Sequence, residues 1–238
     1  MKRVILLISV LAILISVFSV SSYGQYGKVI GAVYDIDGNK YKTVKIGSQI
    51  WMKENLKVTT FNNGDPIFNA KGKNSHHAFG KKEWEKAGNQ KKPAWCYHSN
   101  DPKKRKTFGN LYNYYVVEDS RNVCPDGWRV PNDRDWRELM RYVGGKEKAN
   151  KLKARFSWKK GLKGTNETKF SALAGGVVFY HGGFWHTGDV TRFWSSTGDS
   201  ENNIWSYFSI WEKYCGMHRK YNPKKGHYGF SIRCIKEK

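Results

Sequence analysis

An apolar stripe at Trp136, Leu139, Met140 and Val143 constrains this chain more than any other feature. The spacing i, i+3, i+4, i+7 is one face of an α-helix. Asn132 stands where its side chain can accept from the first-turn amides, and Asp133 and Asp135 sit where the helix dipole favours negative charge. Gly144-Gly145 supplies the stop. A second, shorter helix is expected over Lys146 to Ala154, with Ala149 and Leu152 turned inward and lysines outward. After these helices the text breaks into short glycine- and aromatic-rich runs, 171–180, 184–185, 193–196, 203–210 and 229–235, which read as strands. Helices in one place and strands in others, with no alternating βαβ units, make an α+β layout.

Ahead of the helix, alternation from Val29 meets the turn signal Asp37-Gly38, so a hairpin is expected with Tyr41 to Ile46 as its return strand. Gln49 to Leu56 follows as a third strand, completing a meander. From Phe61 to Pro93 the composition turns to Asn, Gly, Lys and His, with a short helical signal at Glu83 to Ala87, and predicts a long surface excursion. Asp101-Pro102 opens a charged turn, after which Leu111, Tyr112, Tyr114, Tyr115 and Val116 form an aromatic block expected in the core.

The first 24 residues read as an export signal: Lys2 and Arg3 precede an apolar run from Val4 to Val20, and the small residues Ser22 and Gly24 precede Gln25. No cysteine follows that run to carry lipid, and no later apolar run is long enough to span a bilayer. Residues 25–238 are then one domain with its core over about 41–235, secreted or held in a bacterial envelope, and not a lipoprotein. Cys96, Cys124, Cys215 and Cys234 all fall in the exported part, where an even count favours two disulfides, and three pairings are open. Loss of Lys2 and Arg3 lowers the formal charge from +22 to +20. Such an excess reads equally as a solvated basic face or as a surface for an anionic partner such as acidic polysaccharide, lipopolysaccharide or extracellular DNA, that is, a glycan or acidic polymer at a cell surface, with no specific nucleic acid implied.

Ordered blocks run through the chain: Ile46-Gly47-Ser48-Gln49-Ile50-Trp51-Met52-Lys53-Glu54-Asn55-Leu56, Lys92-Pro93-Ala94-Trp95-Cys96-Tyr97, Gly109-Asn110-Leu111-Tyr112-Asn113-Tyr114-Tyr115, Cys124-Pro125-Asp126-Gly127-Trp128-Arg129-Val130-Pro131, Phe170-Ser171-Ala172-Leu173-Ala174-Gly175-Gly176, Trp194-Ser195-Ser196-Thr197 and Tyr228-Gly229-Phe230-Ser231-Ile232-Arg233-Cys234. In these blocks the chain resembles the Fibrobacter succinogenes major paralogous domain family, exported bacterial domains related to the C-type-lectin-like fold. The resemblance implies two helices plus short antiparallel strands, with the amino- and carboxy-terminal strands side by side. It also implies a bond between Cys124 and Cys234, leaving Cys96 and Cys215 as the second pair. The calcium- and sugar-binding tripeptides of C-type lectins are missing, so calcium-dependent sugar binding of that kind is not expected.

No catalytic centre is expected. There is no Gly-x-Ser-x-Gly elbow and no phosphate-cradling glycine loop, so no cofactor is implied. His181 and His186 bracket a turn at Gly182-Gly183 and would point to opposite faces of a strand, and His76-His77 reads as surface decoration, so no metal site is expected. Asp199 and Glu201 form the one carboxylate pair beside tryptophans, and they anchor the less favoured reading of an enzyme acting on a surface polymer. Trp185, Trp205 and Trp211 lie outside most of the blocks and are the candidates for stacking on a ligand. Lys103-Lys104-Arg105-Lys106 and Arg219-Lys220 are the basic clusters taken as binding residues. The leading expectation is a non-enzymatic recognition or adhesion module whose late loops, near 184–189 and 202–221, bind an anionic or glycan ligand. A structural envelope component without a small ligand is the alternative.

Overall fold

A computed structural model describes residues 27–70, 80–222 and 224–238; the first 24 residues, read above as an export signal, and His76-His77 lie outside them. In chain order the strands are β1 (Lys28–Tyr34), β2 (Lys40–Ile46), β3 (Gln49–Met52), β4 (Phe68–Asn69), β5 (Ala94–Tyr97), β6 (Asn110–Tyr112), β7 (Trp128–Arg129), β8 (Val177–Val178), β9 (Phe184–Trp185), β10 (Val190–Trp194), β11 (Ile204–Trp211), β12 (Tyr214–Tyr221) and β13 (Ile235–Lys236). The helices are α1 (Gly80–Asn89), α2 (Arg105–Phe108), α3 (Tyr114–Val117) and α4 (Asp133–Tyr142). One sheet runs β1-β2-β3-β13-β7, a second β10-β11-β12 and a third β4-β5-β6, while β8 and β9 form a separate hairpin. The architecture is α+β with several mostly antiparallel sheets.

The stripe on α4 explains how the first two sheets are held. Trp136 stacks on Phe208 of β11 with ring centroids 4.8 Å apart and lies 4.7 Å from Trp51 of β3, so one indole joins both sheets. Leu139 and Val143 complete that buried cluster with Val44, Ile46, Phe193 and Ile210. The start of α4 carries a full capping box: Asn132 accepts from Asp135 N, and the Asp135 carboxylate accepts from Asn132 N. Gly144 and Gly145 end it with φ of 99° and 102°, a region where a Cβ is strained. The second helix is not α-helical. Lys146–Lys151 is a 3₁₀ segment with Lys148 outside helical angles, too short a run to settle into i to i−4 bonding.

The chain closes on itself as the family blocks imply. Ile235 pairs with Trp51 of β3 and Arg129 of β7, and Leu56 N donates to Ile232 O at 2.9 Å. Cys124 and Cys234 are joined. The expected Cys96–Cys215 bond is absent: both are reduced and buried, Cys96 in a cluster with Trp84 and Leu111 and Cys215 beneath α4 with Phe208 and Ile210. Packing each thiol into a different part of the core keeps the two apart.

The meander forms, with β1 as its outer strand: Val29, Ile30 and Tyr34 are each more than 40% accessible, while Val33 packs against the core. One further expectation changes. The stretch from 61 to 93 is not all surface. Its helix α1 is longer than Glu83 to Ala87 and buries Trp84, whose Nε1 donates to His227 O at 2.6 Å.

Candidate functional site

Strands β8 and β9 pair Val177 with Trp185 and Val178 with Phe184, and the turn between them is closed by Phe179 N donating to Gly183 O at 2.8 Å. Alternation along β9 then decides what each ring does. Phe184 turns toward a buried cluster that includes Trp84 and Val178, while Trp185 faces out with 54% of its surface accessible. The exposed indole rests on a base of rings. Phe179 lies 5.7 Å from Trp185 and 5.0 Å from Tyr228, and Tyr180 lies 6.0 Å from Tyr228. Lys224 Nζ stands 5.1 Å above the Tyr180 ring. Gly183 is needed here: a Cβ on it would come within 2.6 Å of His181 Cε1 and 3.3 Å of Trp185 Nε1.

The basic run from Lys103 to Lys106 meets this hairpin across His98. Asp101 caps the turn by accepting from Lys103 N at 2.9 Å, and Arg105 is anchored by donating to Lys57 O at 2.9 Å. Lys103 and Lys106 stay exposed. Phe108, at the end of α2, stacks on His98 at 4.6 Å, and His98 in turn lies 6.4 Å from Phe184. His98 is 1% exposed, and burial, helped by the charge of Lys104, pushes its pKa down to about 4. A neutral imidazole thus packs between the lysine-bearing turn and the tryptophan-bearing hairpin.

The other predicted residues do not gather there. Trp205 is a core residue, fully buried against Tyr114 at 4.9 Å with its Nε1 donating to Asn222 O, and offers no ligand surface. It misled because it lies outside the family blocks, yet inward alternation on a central strand buries it. The stretch 202–221 is not a loop but the β11–β12 hairpin, paired from Ile204 and Tyr221 to Trp211 and Tyr214. Trp211 is half-buried near its tip, and Arg219 and Lys220, as neighbours on β12, project to opposite faces. His181 Nδ1 accepts from Gly183 N at 3.3 Å. Among the described residues no group of three or more His, Cys, Asp or Glu side chains is placed to hold a metal ion. Asp199 accepts from Asn202 N and Nδ2, and these bonds hold its carboxyl below the usual range, the opposite of what a proton-donating acid requires.

Phe179, Tyr180, Tyr228 and Lys224 were not among the residues expected to bind a ligand. The available signal was Tyr228 itself, which opens the block 228–234; Gly229 of that block exchanges backbone hydrogen bonds of 2.9 Å with Val178 and so ties Tyr228 to the hairpin. No curated protein and no solved structure matches the chain. The family model described as the Fibrobacter succinogenes major domain matches residues 44–236, most of the 238-residue sequence including both crosslinked cysteines, and the chain belongs to that family.

Proposed function

We propose that this protein is an exported, non-enzymatic recognition module of C-type-lectin-like type that binds a charged glycan on the face formed by the β8–β9 hairpin and the turn at 103–106. The observation that carries this reading is the exposed Trp185 indole, supported from beneath by Phe179. An indole held in this way offers a flat apolar surface to the C–H face of a sugar ring and loses little side-chain freedom on binding, because its support is already packed. The exposed Lys103 and Lys106, and Lys224 over the Tyr180 ring, add positive potential that attracts acidic groups. Export follows from the leader-like first 24 residues, and the surface it would meet is outside the cytoplasm.

A glycan array probed with residues 25–238, as the natural sequence and as Trp185→Ala, tests this. Binding to charged glycans is expected for the natural sequence and is expected to drop at least tenfold for the variant, with the thermal midpoint unchanged because Trp185 is half exposed. An empty array, or equal binding by both proteins, would overturn the proposal.

A further inference from the structure

The opposite side of α4 from its buried stripe carries a feature no motif announced. Arg134, Arg137 and Arg141 follow one another at i, i+3 and i+7, the spacing of a single helix face, and together with Asn132, Asp133, Met140 and Thr197 they line an open groove of about 630 Å³. Seven residues of helix place the outer two arginines about 10 Å apart along its axis. The guanidinium groups of Arg134 and Arg141 make no hydrogen bond or ion pair with any described residue, and Arg137 reaches Asp133 only at 3.9 Å.

The acidic group in the groove is already committed. Asp133 Oδ1 accepts from Ser195 Oγ at 2.6 Å and from Ser206 Oγ at 2.5 Å, two hydroxyls buried under the helix. Glu138, the other carboxylate on this part of α4, accepts from Ser48 Oγ. Arg219, paired with Ser206 on the outer strand, shares the sheet face that α4 covers but does not line the groove, and its charge acts on Asp199. The result is a row of guanidinium groups that fold stability does not occupy.

We infer that this groove binds an extended acidic polysaccharide, its carboxylate or sulfate groups held by the arginine row. Guanidinium forks make two parallel hydrogen bonds to planar or tetrahedral oxyanions, which a lysine ammonium cannot. A row of them spaced along a helix suits charges spaced along a polymer rather than one small anion. Asn132 and the Thr197 hydroxyl add groups suited to sugar hydroxyls, and no aromatic ring lines the groove. That composition disfavours single-stranded nucleic acid, whose binding sites stack bases on rings. The groove is built from residues other than those of the β8–β9 hairpin and stands independently of it.

The test measures binding of residues 25–238 to heparin, to polygalacturonate and to single-stranded DNA over a salt series. The comparison is with Arg134→Gln/Arg137→Gln/Arg141→Gln and with Lys40→Gln/Lys42→Gln/Lys45→Gln, three exposed lysines of β2 that belong to neither proposed site. Loss of three ion contacts lowers the slope of log K against log salt by about 2 to 3, and this is expected for both polysaccharides with the arginine variant only. A slope unchanged in the arginine variant, an equal fall in the lysine variant, or tighter binding of DNA than of either polysaccharide would each overturn the inference. Because glutamine keeps helix propensity, the variant should fold. If its thermal midpoint falls, Arg134→Gln/Arg141→Gln spares the Arg137 pair with Asp133 and carries the same test with a smaller change in slope. Trp185→Ala leaves the salt slope intact on this account, so failure of the groove and failure of the hairpin give different results.

Discussion

His98 lies almost wholly buried, its ring stacked on Phe108 and its Nδ1 3.1 Å from Ser99 Oγ, while its Nε2 has no well-formed hydrogen bond. Its folded pKa near 4 stands below the ordinary 6.5, so between those values the unfolded chain binds the proton and the folded chain does not. Stability should therefore fall as pH drops from about 6.5 toward 4. Urea unfolding at pH 7 and pH 4.5 is expected to show a smaller acid loss for His98→Phe, which keeps the stack, than for the natural sequence; equal losses would contradict this assignment. Nothing in the sequence marked His98, since a histidine beside serine and asparagine reads as surface. Arg233 is a similar case. It is fully buried between Phe170 and Phe193, donates to Asn55 Oδ1 and to Phe170 O, and burial lowers its pKa to about 9. Sequence pattern shows which residue types tend to be inside, and a cation held by stacking and by a partner 178 positions away escapes it.

Helix α4 was legible because every local signal agreed, from the cap at Asn132 through the apolar stripe to the glycine stop. Removing one of those signals has a predictable cost. Asn132→Ala is expected to lower stability by about 1 kcal/mol, read from thermal or urea unfolding, because the Asp135 amide loses its acceptor. No change would mean that packing of Trp136 alone holds the helix start. Strand β12 was not legible. Its Cys215, Met217 and Arg219 face one way and Tyr214, Gly216, His218 and Lys220 the other, so polar and apolar residues are mixed on both faces and no alternation of period two shows through. The hairpin at 184–185 was found from its glycine turn, but the ring base under Trp185 joins Phe179 and Tyr180 of that hairpin to Tyr228 from far along the chain, which local pattern does not connect.

At the scale of the whole molecule, three sheets and α4 are closed by the carboxy-terminal strand returning to β3, and the Cys124–Cys234 bond locks that return across 110 residues. This closure, implied by the ordered blocks in the sequence, is the part of the fold that resemblance alone foretold. In the chain-entropy model such a crosslink is worth about 4 to 5 kcal/mol, and Cys124→Ser/Cys234→Ser is expected to lose most of it in urea unfolding, while an unchanged midpoint would show that strand pairing alone closes the chain. Rigid closure leaves the β8–β9 hairpin as a fixed platform for the proposed ligand. The most direct measurement is the indole N–H spectrum of the folded protein as a charged glycan selected on the array is added, with the Trp185 signal identified by its loss in Trp185→Ala. The Trp185 resonance should shift in proportion to saturation while that of buried Trp205 stays in place; a Trp185 signal that stays fixed while the glycan binds would contradict the account.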